Sequence, residues 1–138
     1  MYDNERLGKI LGDIERYFAD LEEVGIKNVK DLENKKNFYS VSMLLFSIIN
    51  RSIDLGEEII AAKNLGTPST YKDIFFLLFK GKLINDHMKK QLQELSSYRN
   101  IFSHNYHDFK EKDVFNALTR ISVVRDFAKR MKVVIKPI

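Results

Sequence analysis

The sequence predicts an all-α fold, an up-and-down bundle of about five helices forming a single domain over residues 1–138, and three observations carry that reading. Apolar residues recur at three- and four-residue steps along most of the chain, no alternating run carries a hairpin signal, and 2 Pro and 6 Gly are all that punctuate 138 residues. With 44% hydrophobic residues, the chain suits one compact core and is short for two.

The elements follow in order. Leu7, Leu11, Ile14, Phe18 and Leu21 make the stripe of a first amphipathic helix, with Asp13, Glu15, Glu22 and Glu23 off that face and Gly25 at its end. Phe38, Val41, Leu44, Leu45, Ile48, Ser52, Leu55 and Ile59 continue a similar period through a longer helix that is apolar over much of its surface, which makes it the central one. Asn64 to Ser69 break the pattern, and Thr70 with Asp73 has the form of a capping box opening a short apolar third helix that Gly81 ends. Asn85 or Asp86 can cap a fourth helix carrying Met88, Leu92, Leu95 and Ile101. A fifth, from about Asp113, sets Val114, Leu118, Ile121, Val124 and Met131 on one stripe, and Val133 to Ile135 is β-prone but isolated.

Composition removes several function classes. With no cysteine there is no disulfide, thiolate metal site or cysteine nucleophile. The segment MYDNERLGKILGDIE carries acids early and has no apolar run before a small-residue cleavage site, so it is not a signal peptide and a cytoplasmic location is expected. Val41 to Ile49 is interrupted by Ser42 and Ser47 and ends at Asn50-Arg51. That is well short of the roughly 20 residues of a membrane span, and no membrane partner is expected. Net charge is +4 but uneven: residues 1–33 hold 5 Lys and Arg against 9 Asp and Glu, while residues 34–138 hold 18 against 10. The basic part suits an anionic partner such as RNA, through encounter and non-specific affinity. A solvated basic surface is the blander reading of the same numbers.

The segment Arg99 to Tyr106, RNIFSHNY, carries the chemistry. Histidine both takes and gives a proton near neutrality, whereas arginine offers a permanent planar cation that matches phosphate oxygens. Arg99 and His104 brought to one phosphodiester beside a ribose 2′-hydroxyl suffice for RNA cleavage without a metal or other cofactor. On one ideal helix, five residues at about 100° each would set the two about 140° apart. Either the helix loosens near Ser103-His104-Asn105, or a second subunit completes the site. Asn100 and His104, four apart, share a face, so Asn100 can orient the imidazole. On spacing alone, the commoner reading makes Arg99 a surface cation and His104 a helix-ending histidine.

Other candidates are thinner. His104, His107 and Asp108 make an incomplete metal set, and His87 reads as a surface residue. Lys80, Lys82, Lys89 and Lys90, or Lys129, Arg130, Lys132 and Lys136, could track an RNA backbone or be solvated. Asp54 on an apolar helix is costly unless paired. It could orient Arg99 or His104, or pair with a nearby cation.

RNIFSHNY resembles the signature of the HEPN superfamily, an Arg followed four to six residues later by a His. It is closer still to the HepT toxins, whose pattern is Arg, four residues, His, one residue, Tyr, met here by Arg99, His104 and Tyr106 with Asn100 at the polar position after the Arg. The run TPSTYKDIFFLLFKGKLINDHMKKQLQELSSYRNIFSHNY is similar to the family throughout, and IINRSIDLGEEII resembles its central helix with Asp54 at an acidic position. The resemblance reaches from about Phe38 to the fifth helix, while the first helix matches in pattern only. It implies a homodimer with two signatures facing across a cleft, which would resolve the angular problem. It further implies the toxin of a type II toxin–antitoxin system, a metal-independent endoribonuclease neutralised when a minimal nucleotidyltransferase antitoxin transfers AMP to Tyr106. The alternative is a catalytically silent HEPN dimer serving as partner or substrate of a nucleotidyltransferase. A nucleotide-binding HEPN domain is disfavoured by the lack of a Gly-rich phosphate loop.

Overall fold

A computed structural model describes residues 2–103 and 108–136, and every described regular element is helical. Helix α1 (Asn4–Val24) opens on Asp3, which accepts from the Arg6 amide, and closes on Gly25 in the left-handed conformation at φ 68°. A 3₁₀ turn (Val29–Glu33) follows, held by a reciprocal capping box between Asn28 and Asp31. The periodicity gave no sign of this turn, whose buried Leu32 is its one core contact. Helix α2 (Lys35–Lys63) has 29 residues, roughly 44 Å, and packs on every other helix, most extensively on α1. Helix α3 (Tyr71–Lys80) starts at the expected capping box, with Thr70 Oγ1 accepting from the Asp73 amide at 3.2 Å and Asp73 accepting from the Thr70 amide at 3.3 Å. The expected end at Gly81 is met, although the left-handed residue is Lys82 at φ 64°.

The two remaining expected helices are each broken. Asn85, rather than Asp86, caps α4 (Asp86–Ser96), and α5 (Tyr98–Phe102) follows after Ser97. The cause is local competition for carbonyls: Ser96 Oγ donates to Leu92 O at 2.7 Å and Ser97 Oγ to Glu94 O at 2.5 Å, while the Ser97 amide bonds Glu94 O, three residues back. In the same way α6 (Glu111–Arg120) and α7 (Ser122–Ile135) are parted at Ile121, whose amide bonds Leu118 O at 3.4 Å. Val133 to Ile135, read as β-prone, form the last turn of α7. Counting each broken pair as one gives the five helices predicted.

The core is continuous along α2. Ile10 and Ile14 from α1, Phe75 from α3, Leu92 from α4 and Phe127 from α7 are all at most 2% exposed against it. Gly56 lets α3 approach closely, since a Cβ there would fall 2.5 Å from Ile74 Cγ2. Phe75 and Phe127 meet edge to face at 5.7 Å.

Asp13 departs from expectation. Read as lying off the apolar face, it is 2% exposed. Burial is tolerated because the carboxylate is paired: Arg51 of α2 donates from Nε at 2.9 Å, Lys9 donates at 3.4 Å, and Arg16 donates to the other flank. Desolvation pushes the Asp13 carboxyl up, but the hydrogen bonds from Arg51 and Lys9 and their charges outweigh it and hold it below the usual carboxylate range.

A carboxyl with a depressed folded-state pKa contributes stability above its unfolded pKa and loses it as pH falls through the folded value. Asp13→Asn should therefore cost about 2–3 kcal/mol at pH 7, the scale of hydrogen bonds to a charged group. In urea melts the difference from wild type should shrink below about pH 4. A penalty that is constant from pH 7 to pH 2 would show that Asp13 is not held ionised.

Candidate nucleic-acid cleavage site

Arg99 and Asn100 lie on α5, a helix of 5 residues separated from α4 by the break at Ser97. Short helices of this kind have little stability of their own and are placed by packing. Here the packing is aromatic. Phe102, at the end of α5, and Phe109, beyond the 103–108 segment, are 5% and 4% exposed, and their rings meet at 5.2 Å. Phe109 also lies 5.5 Å from Phe38 at the start of α2. Both ends of the segment bearing the motif are thus tied to each other and to the central helix. Ser103 closes the turn, its amide bonding Arg99 O at 3.0 Å and its Oγ donating to Asn100 O at 2.9 Å.

Arg99 is exposed, and its Nε donates to Asn50 Oδ1 on α2 at 2.6 Å. Among the described residues no carboxylate pairs with it. Nε is the inner donor of the guanidinium, so the four outer N–H groups form a fork suited to phosphate oxygens. Asn100 is exposed beside it. Asp54, the other supporting residue, lies one turn beyond Asn50 on α2 and accepts from Arg51 at 3.1 Å. The same guanidinium grips Asp13, which ties α1 and α2 together at the level of Asn50. Burial pushes the Arg51 pKa down, but Asp13 and Asp54 raise it further, and the cation is permanent.

His104, Asn105, Tyr106 and His107 lie outside the described residues. The expectations about His104 as acid–base, its alignment by Asn100, Tyr106 as modification site and the His104, His107 and Asp108 set accordingly stand as expectations. Among the described residues no group of three His, Asp or Glu could hold a metal ion, and no helix is long and apolar enough to cross a membrane.

The sequence reading missed Asn50 and Arg51, because an Asn-Arg pair on a long helix carries no signal until the fold shows what each faces. The two lysine-rich groups are partly engaged within the chain. Lys89 and Lys90 pair with Asp86 at 3.0 and 3.1 Å, Arg130 donates to Leu83 O at 2.8 Å, and Lys132 pairs with Glu15 at 2.7 Å.

Around this site α2 has an exposed apolar stripe. Tyr39 and Met43, 43% and 60% exposed, stand eleven and seven residues before Asn50, positions that share its side of the helix.

The fold is similar to that of several solved structures. A toxin–antitoxin complex with AMP-PNP superposes with a TM-score of 0.83 at 20% identity, covering 92% of this chain and 97% of that one. The tri-AMPylated HEPN toxin of Shewanella oneidensis in complex with MNT antitoxin gives 0.83 at 22% identity, over 96% and 99% of the two chains. YutE of Bacillus subtilis, a cytosolic protein of unknown function, gives 0.83 at 20% identity over 100% and 98%. No curated protein matches by sequence. The family model described as ribonuclease HepT-like matches residues 8–131, from the second turn of α1 to the buried Met131 of α7, and the chain belongs to that family.

Proposed function

We propose that this protein is the toxin of a HEPN/MNT toxin–antitoxin pair and a metal-independent endoribonuclease. The observation that carries the reading is Arg99, the arginine of the motif that resembles the HepT signature, exposed and held through Nε by a neutral acceptor. The fork it presents fits the anionic phosphorane formed when a ribose 2′-oxygen attacks the adjacent phosphorus. In the proposed reaction His104 takes the proton of the 2′-hydroxyl or gives one to the leaving 5′-oxygen, and the other of these two protons is exchanged with solvent water. The 2′-O–P bond forms, the P–O5′ bond breaks, and the products are a 2′,3′-cyclic phosphate and a 5′-hydroxyl. No oxidant or nucleophilic water enters.

The functional unit in this reading is a homodimer. The Tyr39 and Met43 stripe leads along α2 to Asn50 and Arg99, so a second copy seated on it would bring two signatures together. Tyr106 is the proposed point of control. Solved relatives include an AMPylated toxin bound to its MNT antitoxin, and an adenylate on Tyr106 would add an anion and bulk close in sequence to Arg99.

Purified protein incubated with RNA in EDTA should produce cyclic-phosphate ends. Arg99→Ala should slow this by about 10²- to 10³-fold. His104→Ala should slow it by about 10²- to 10⁴-fold. Equal cleavage by wild type and His104→Ala, or none by either with Tyr106 shown unmodified by mass spectrometry, would point instead to a silent partner of a nucleotidyltransferase. Met43→Glu should weaken self-association by about 10-fold or more in light scattering, as loss of an apolar anchor does. An unchanged dimer would place the interface elsewhere.

A further inference from the structure

We propose that Asn50 is the positioning residue of Arg99 and that its neutrality is what the site requires of it. The proposal rests on the reading of Arg99 as the phosphate-binding group and deepens it. Asn50 lies 49 residues from Arg99 on a helix locked by the core, whereas Arg99 sits on a helix too short to fix its own orientation. The Nε–Oδ1 bond of 2.6 Å supplies the missing constraint and leaves the outer N–H groups for a ligand.

A carboxylate in the same place would bind the guanidinium more strongly. It would also cancel the charge that a phosphate must find. Position 50 is therefore a choice between holding and neutralising, and the amide holds without neutralising. Asp54, four residues further along the same face of α2, is engaged by Arg51, which is itself fixed by Asp13 of α1 at 2.9 Å. Asp54 and Asp13 are thus both engaged by cations, and among the described residues no carboxylate pairs with Arg99.

Two isosteric or smaller substitutions separate the roles. Asn50→Ala removes the constraint and keeps the charge, and should lower kcat/KM for an RNA oligonucleotide by about 10-fold, a hydrogen bond to a charged group being the interaction lost. Asn50→Asp keeps the constraint and adds a charge, and should fall below Asn50→Ala, with much of the loss in KM and with weaker binding of the 2′-deoxy oligonucleotide of the same sequence. Matched thermal melts would confirm that both variants fold. A second readout stands apart from cleavage: the Arg99 Nε–H resonance, assigned through Arg99→Lys, should exchange slowly in wild type and in Asn50→Asp and rapidly in Asn50→Ala.

Asn50→Asp at or above Asn50→Ala in kcat/KM overturns the proposal, and so does an Nε–H resonance that Asn50→Ala leaves unchanged. If the wild type does not cleave RNA, the proposed function fails. Oligonucleotide binding and the resonance then decide the role of Asn50 by themselves: binding by Asn50→Asp no weaker than by Asn50→Ala would end it.

Discussion

The structure depends on one constraint, the burial of one long apolar face of α2 against every other helix. A helix of 29 residues with Val41, Leu45, Ile48, Ile49, Leu55 and Ile59 all at 0% exposure has to be wrapped, and the other helices are the wrapping. Fully burying one such side chain is worth roughly 1.5–3 kcal/mol, so register along α2 is set far more strongly than anything at the surface could set it. What α2 leaves uncovered is then meaningful by contrast. The side away from the core carries exposed Tyr39 and Met43 and half-buried Asn50 and Asp54, and the arginine of the motif is attached there.

The same axis explains how a site can be built on a helix of five residues. Phe102 and Phe109 close the ends of the 103–108 segment against each other, and Phe38 passes that closure to α2. Arg51 adds an electrostatic tie between α1 and α2 at the matching level. The buried ion pair is a specific registration of two helices more than a source of stability, since two charges removed from water gain little over well-packed apolar groups. Positioning is thus delegated to residues distant in sequence, and the motif itself is left with the chemistry.

Much of the fold was legible because it rests on local rules. The 3.6-residue period gave α1 and α2, and the capping box of Thr70 and Asp73 gave the start of α3. The breaks at Ser97 and Ile121 were not legible, since serine back-bonding and a lengthened amide bond are outcomes of competition among nearby carbonyls that residue type does not decide. Asp13 was placed on the wrong face for a similar reason. An acid beside an apolar stripe looks solvated until a cation 38 residues away is known to meet it. For the site, the sequence supplied Arg99 and the geometric argument that one ideal helix could not align it with His104; α5 ends at Phe102, three residues after Arg99. Asn50 was invisible, because nothing in a polar residue on a long helix announces a partner 49 residues later.

The central claim is that Arg99 is the phosphate fork, held from behind by Asn50. It is tested most directly by a structure of the protein with an RNA analogue bearing a single 2′-deoxy sugar at the cleavage position. The account predicts the scissile phosphate within hydrogen-bonding distance of the outer Arg99 nitrogens while Nε stays on Asn50. A phosphate seated away from Arg99, or Arg99 withdrawn to a carboxylate such as Asp54, would contradict it.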